Sequence, residues 1–284
     1  MQRINTIIFG FLLFTSNVCA MSTERITFTW SDINTRDVLR WEGDTAVIRQ
    51  GSSMQELRCK VALDSDDIDT AIELFGVPRS WTSLTYTDEK DLAEKQRALE
   101  AKASRHGIKM MENGNQFAVD YSWVIHESTK ELRDVANGIR STARRQGYRS
   151  TREIVGAFSS FVQSLTYRIP PDFRINDEGE EILTAGAMMP IETLAKQWGD
   201  CDSKSMLFAS LVRSIELVKV AFIVMDDHLF AAVQLSATDE DHSINHDGDE
   251  WVLVELTDSW PLGRVPEKHL RGMRSGRYTV VDLD

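Results

Sequence analysis

The chain has 284 residues, with 44 acidic against 32 basic side chains and a formal charge of −12 at neutral pH. That balance argues against nucleic acid or an anionic membrane as the principal partner, because both are recognised by clustered Lys and Arg. Three cysteines are too few for a disulfide-built scaffold, and the length suits one large domain or two small ones.

The chain opens like an export signal. Arg3 supplies a positive start, Ile7 to Phe14 forms an apolar run too short to cross a bilayer, and Val18-Cys19-Ala20 puts small residues at the cleavage positions. Cleavage after Ala20 and a periplasmic or secreted protein are expected. Cys19 keeps a lipoprotein reading open, although Ser16-Asn17-Val18 lacks the leucine and small residue that normally precede a lipid-bearing cysteine. No later stretch has the length and apolarity of a transmembrane helix, so no membrane insertion is expected after cleavage. The mature chain keeps Cys59 and Cys201, and in an oxidising compartment a disulfide between them competes with a free thiol at Cys201.

Ile26 to Trp30, Thr45 to Arg49 and Leu57 to Leu63 are rich in β-formers between turn signals and predict a small sheet. Asp88 to Arg105, rich in Ala, Leu, Glu and Lys, predicts an exposed helix ended near Gly107, and Phe117 to Ile125 then alternates like a strand. Lys130 to Arg145 carries Leu132, Val135, Ala136 and Ile139 at helical spacing, closed by Gly147. Ser150, with Glu153 three residues on, is a capping box that opens another helix, whose apolar face runs from Ile154 through Phe158 and Phe161 to Leu165. A soft boundary near residue 127 divides an N-terminal accessory region, 21–127, from a core, 128–284, that carries the chemistry.

In that core, Gly199-Asp200-Cys201-Asp202-Ser203-Lys204-Ser205 leads into Met206, Leu207, Leu211 and Ile215 at helical spacing. The spacing sets Cys201 on the first turn of a helix buried by its apolar side. Unpaired N–H groups and the dipole at a helix start favour a thiolate, and the Cys201 main-chain N–H can receive the oxygen of a tetrahedral intermediate. Asp200 and Asp202 oppose the thiolate electrostatically, and one of them can cap the helix. Val218 to Val224 alternates as a strand, Asp226-Asp227 turns, and Leu229 to Leu235 forms a second strand with His228 at its entrance. After an acidic loop, Thr238 to Glu250, the segment Trp251 to Leu256 supplies a third strand bearing Glu255. A thiol, an imidazole and a carboxylate in this order are the parts of a nucleophile, its base and the base's orienter.

Pro190-Ile191-Glu192-Thr193-Leu194, the run Trp198 to Ser205, the His228 strand and Trp251-Val252-Leu253-Val254-Glu255-Leu256-Thr257 together resemble the transglutaminase-like superfamily, and within it the bacterial exported cysteine proteinases. Phe161-Val162-Gln163-Ser164-Leu165-Thr166-Tyr167 is similar to the helix preceding the motif in those proteins, so the resemblance covers about residues 128–260. It implies an α+β, papain-like core in which a helix bearing the nucleophile packs on an antiparallel sheet. It also implies Cys201 as nucleophile, His228 as general base and acid, and Glu255 as orienter. The family's third member is most often Asp, which leaves Asp258 as a competitor; Glu255 is preferred because it lies in the strand motif. A further oxyanion donor is open between the side chains of Gln163 and Gln197.

The function expected is an exported cysteine endopeptidase that cleaves a protein or peptide substrate through a thioester resolved by water. Transglutaminase or amide-transfer chemistry with the same three residues, and a non-catalytic module binding peptide or cell wall, are the alternatives. No cofactor is expected. The acids of Thr238 to Glu250 could hold calcium, but they lack EF-hand spacing and read as a solvated loop. Trp198 and Trp260 flank the motif as cleft-lining or core residues. His126, in a strand-like segment, and His269, in an apparent solvated turn, receive no role.

Overall fold

The computed structural model describes residues 22–34, 39–42, 45–48, 54–111 and 116–283. The expected export segment and Arg49 lie outside these residues. The N-terminal half contains strands β1 (Thr23–Asp32), β2 (Leu39–Glu42), β3 (Thr45–Ile48) and β4 (Gln55–Asp64), helix α1 (Ser65–Leu74), strand β5 (Val77–Pro78), helix α2 (Glu89–Ala103) and strands β6 (Ile108–Met110) and β7 (Phe117–Val119). Helices α3 (Tyr121–Ser128), α4 (Arg133–Arg145) and α5 (Thr151–Gln163) follow, then β8 (Thr166–Tyr167), β9 (Phe173–Ile175), β10 (Glu181–Leu183), α6 (Pro190–Lys196) and β11 (Trp198–Gly199). The chain ends with α7 (Cys201–Ser214), β12 (Val220–Val224), β13 (Leu229–Gln234), β14 (Ser243–His246), β15 (Asp249–Val254), α8 (Glu267–Arg274) and β16 (Thr279–Asp282). The architecture is α+β.

The principal sheet is antiparallel with strand order β14-β15-β13-β12-β16. Its three central strands, β15, β13 and β12, carry apolar runs on both faces because both are covered there. Val220, Phe222, Leu229, Ala231, Val233, Val252 and Val254 face the main core, while Ala221, Ile223, Phe230, Ala232, Trp251 and Leu253 form a second cluster with Val265 and Leu270 beside and on α8. Helix α7 is the centre of the main core. Met206, Leu207, Phe208, Leu211 and Val212 have no exposed surface, and α7 packs on α3, α4, α5, α6 and strands β12 and β13.

The first three predicted strands form two separate hairpins. β1 pairs with β4 from Thr23↔Asp64 to Asp32↔Gln55, and β2 pairs with β3. Strict alternation turns Ile26, Phe28 and Trp30, and opposite them Leu57, Cys59, Val61 and Leu63, towards α4 and α5, where Phe28 and Trp30 meet Phe161 edge-on at 5.0 and 5.1 Å. One continuous core therefore joins this hairpin to α7.

The predicted strand over Phe117 to Ile125 is corrected. β7 stops at Val119 because Asp120 accepts from the Trp123 N–H and caps α3, after which Val124, Ile125 and Ser128 are buried at helical spacing. His126 thus lies on a helix, exposed. The supposed loop Thr238 to Glu250 is likewise corrected, since it contains β14 and a tight turn in which Asp247 and Gly248 both take positive φ, 53° and 85°, to return the chain as β15.

Candidate functional site

Three chain segments meet at one end of the principal sheet. Glu192 to Leu194 of α6 are buried, Gln197 takes a left-handed conformation with φ of 59°, and the short strand β11 pairs in parallel with β8 before α7 begins. Gly199 is required at this entry because a Cβ there would lie 2.9 Å from the Ser203 Cβ and 3.1 Å from Thr193 Cγ2. Asp200 then caps α7 by accepting from the Ser203 N–H at 3.0 Å, which fixes Cys201 as the first helical residue. At that position the helix provides no carbonyl for the Cys201 N–H.

His228 immediately precedes β13 and Glu255 immediately follows β15, and these strands are neighbours, so the two side chains converge from adjacent strand ends. His228 stands at the entrance of its strand, as the sequence predicts, whereas Glu255 lies just past the end of the strand in which the sequence places it. His228 Nε2 lies 2.8 Å from Glu255 Oε2. The other carboxylate oxygen, Oε1, accepts from the Leu256 N–H at 2.9 Å, the Thr257 N–H at 2.8 Å and the Thr257 hydroxyl at 2.6 Å. Burial pushes the Glu255 carboxyl up, but the bonds from His228 and Thr257 outweigh it and hold it below its ordinary value. An ionised carboxylate only accepts, so His228 Nε2 donates and Nδ1 is left as the basic nitrogen. Asp258, the competitor, is exposed and accepts from the Ser259 N–H, so Glu255 is the acid that holds the imidazole.

Cys201 and Cys59 are both free thiols, which removes the disulfide alternative. Cys59 is buried in β4 against α4, where a Cβ at Gly138 would meet its sulfur at 3.1 Å. The sulfur of Cys201 is half-buried and points towards Asp202 Oδ1 at 3.6 Å, and the Leu229 main chain, next to His228, also bonds to it. Among the described residues no hydrogen bond joins the sulfur to His228. Burial, then Asp202 and Asp200, push the thiol up to about 12, against the lowering by Leu229. The thiolate expected at the helix start is therefore not the resting form, because desolvation and two acids outweigh the helix end.

Asp202 is also pushed up by burial and Asp200, and it accepts from the Tyr121 hydroxyl at 3.1 Å. Lys204, one turn along α7, has no exposed surface; Nζ bonds to the carbonyls of Leu165 at 3.0 Å and Gln163 at 3.4 Å. Burial lowers its ammonium to about 8, while Glu255 and Asp258 favour the charge. This lysine gives the acidic site its buried cation, a role that the sequence motif did not disclose.

Gln163 is corrected as an oxyanion donor. Its amide nitrogen donates to the carbonyls of Glu255 and Trp260, at 2.7 Å each, so both hydrogens are spent on holding the chain around the acid. Gln197 is exposed, and its side chain makes no hydrogen bond among the described residues. Trp260 is tied to the site through that carbonyl, and Trp198 stacks under the Arg168 guanidinium at 4.7 Å. A groove of about 770 Å³ lies beside the site, lined by Trp198, Arg168, Phe173, Met188 and Lys196 among others, and it does not include Cys201, His228 or Glu255.

His269 is a residue that sequence reasoning dismissed. It is 5% exposed on α8, and its ring stacks on that of His228 with centroids 4.3 Å apart and planes 12° from parallel. The signal available was Pro266-Glu267 followed by Leu270, a helix start with an apolar side. His228, Glu255 and His269 have donor atoms within 4.8 Å of one another, as do His246, Asp247 and Asp282. In the segment proposed for calcium, Asp241 accepts from the Thr238 N–H and hydroxyl and pairs with Arg152 at 2.5 Å, and Glu250 accepts from the Ala237 N–H at 2.7 Å. Those oxygens already have protein donors.

Comparison with protein-family models and with curated proteins finds no match for the chain.

Proposed function

We propose that this protein is an exported cysteine endopeptidase of the transglutaminase-like kind, with a papain-like core, acting on protein or peptide substrates outside the cytoplasm. The observation that carries the reading is the 2.8 Å contact between His228 Nε2 and Glu255 Oε2, made by a partly buried imidazole and a buried carboxylate beside a cysteine that starts the central helix. A carboxylate that already accepts three other hydrogen bonds is a rigid orienter, and it leaves the opposite imidazole nitrogen free for proton transfer.

The thiol is protonated at rest, so attack and deprotonation occur together. His228 Nδ1 takes the thiol proton as Cys201 Sγ bonds to the scissile carbonyl carbon, and the carbonyl oxygen gathers charge towards the Cys201 N–H. Glu255 stabilises the imidazolium. The C–N bond then breaks as His228 returns the proton to the leaving amine, and a thioester remains on Cys201. Water, deprotonated by His228, attacks the thioester and releases the acid and the thiol. The residues present call for no cofactor in this sequence of steps.

The test is to incubate the mature protein with a mixture of exported proteins in H₂¹⁸O with dansylcadaverine present, and to map new termini by mass spectrometry. New termini that carry ¹⁸O and vanish in Cys201→Ala are expected. Dansylcadaverine bound to glutamine side chains without new termini, or cleavage that survives Cys201→Ala, would overturn the reading.

A further inference from the structure

The His228 ring has an edge held by Glu255 and a face covered by His269. With centroids at 4.3 Å and a 12° tilt, the two imidazoles are in stacking contact, and Phe230 closes the side of the pair at 5.9 Å from His228 and 6.1 Å from His269. Helix α8, which carries His269, is packed on the outer face of the principal sheet through Leu270, so the second ring is held by the fold and not by the site. A metal-ion cradle is the other reading of two imidazoles and a carboxylate so close together. Rings within 12° of parallel direct their in-plane lone pairs side by side, which does not serve one shared ion.

We propose that His269 is a positioning residue for His228: its ring fixes the plane of the base, and with it the direction of Nδ1, and presents a π face to the imidazolium formed during proton transfer. The proposal rests on the reading of His228 as general base. Two independent restraints are needed because a single bond to Glu255 through Nε2 leaves the ring free to swing about that bond, and the sulfur supplies no hydrogen bond to stop it. The stack removes that freedom. The groups around His269 keep it neutral: burial comes first, then His228 and Lys268, which outweigh the acids Glu255 and Asp227 and lower its imidazole to about 4. The charge formed in proton transfer therefore settles on His228 with no second imidazolium opposing it.

The experiment uses the mature full-length protein and its His269→Ala, His269→Phe and His228→Ala variants, each checked for an unchanged circular-dichroism spectrum. ¹⁵N-histidine NMR reads the tautomer and the ring mobility of His228, and iodoacetamide labelling of Cys201 across the pH range reads base assistance. A single Nε2–H tautomer of His228 is expected in every variant that keeps this residue, because Glu255 sets it, with sharp His228 lines in the wild type and in His269→Phe and lines broadened by ring motion in His269→Ala. Labelling in His269→Ala should fall about tenfold, with rescue by His269→Phe, a part of the roughly 10²-fold that a positioned base contributes. An unchanged His228 spectrum in His269→Ala, or failure of His269→Phe to restore it, would overturn the positioning role. Labelling insensitive to His228→Ala would instead overturn the general-base reading, which the NMR result does not depend on.

Discussion

Gln163 donates both amide hydrogens across the site, one of them to the main-chain carbonyl of Glu255 at 2.7 Å, so the last residue of α5 fixes the end of the strand that presents the acid. The same residue offers its own carbonyl to the buried Lys204. Helix α5, helix α7 and the Glu255 strand end are thereby one hydrogen-bonded unit. Gln163→Leu keeps the volume and takes the amide donor away from the Glu255 and Trp260 carbonyls. Loss of about 2–3 kcal/mol in urea unfolding is expected, since each buried unsatisfied group costs about 1–3 kcal/mol. A change below about 0.5 kcal/mol would show that water replaces the amide.

The acids around the thiol set its resting state. Asp202 is the largest charged contributor to the elevation of Cys201, after burial. Asp202→Asn should raise iodoacetamide labelling at pH 8, because removing the like charge beside the sulfur favours the thiolate. Wild-type labelling should keep rising through pH 10, as a thiol at about 12 requires. A labelling plateau near neutral pH would contradict the neutral-thiol account.

Acid should destabilise the fold through His269. Its imidazole is lowered from 6.5 to about 4, so the unfolded chain binds a proton that the folded chain refuses between those values. Stability is therefore unaffected above pH 6.5, falls as pH drops below it, and levels off near pH 4. The full effect is at most about 3 kcal/mol. Glu255, held below its ordinary value, adds a second loss at lower pH, as its carboxylate takes up a proton. His269→Phe should remove the part above pH 4; an identical pH profile of melting temperature in that variant would sink this assignment.

The N-terminal hairpin reaches the site through Asn34. Its amide donates to Asp32, the Gly156 carbonyl and Ser160, and its Oδ1 accepts from the Leu262 N–H at 2.6 Å, in the segment that follows Trp260. A Cβ on Gly156 would lie 2.9 Å from both Cβ and Cγ of Asn34. Gly156→Ala should cost about 1–3 kcal/mol, the usual range for overpacking, and loosen the 257–263 segment in hydrogen exchange. Wild-type protection there in the variant would show that Asn34 is not its anchor.

Much of this arrangement could be read from local pattern. Ser150 and Glu153 marked the α5 start because a capping box is contained in four residues, and Cys201 was legible as a helix start because the apolar spacing of α7 begins just after it. Tertiary partners were not legible. Whether Gln163 served an oxyanion or a carbonyl depended on where the Glu255 and Trp260 backbones ran, and His269 looked solvated because nothing near it in sequence reveals a ring 41 positions earlier. The strand expected beyond Val119 failed on one residue: Asp120, whose side chain takes the Trp123 N–H, outweighed the alternation around it. The sign of the Cys201 shift was hidden too, because burial is its largest cause.

The central claim, that Cys201 is an acyl-accepting nucleophile served by His228, is tested most directly with p-nitrophenyl acetate. Rapid quench and mass spectrometry of the mature protein should find one acetyl group on Cys201. Cys201→Ala should abolish it, and His228→Ala should slow its formation about a hundredfold, the lower end of what a positioned base contributes. Acetylation elsewhere in the chain, or at Cys201 with a rate indifferent to His228, would contradict the account.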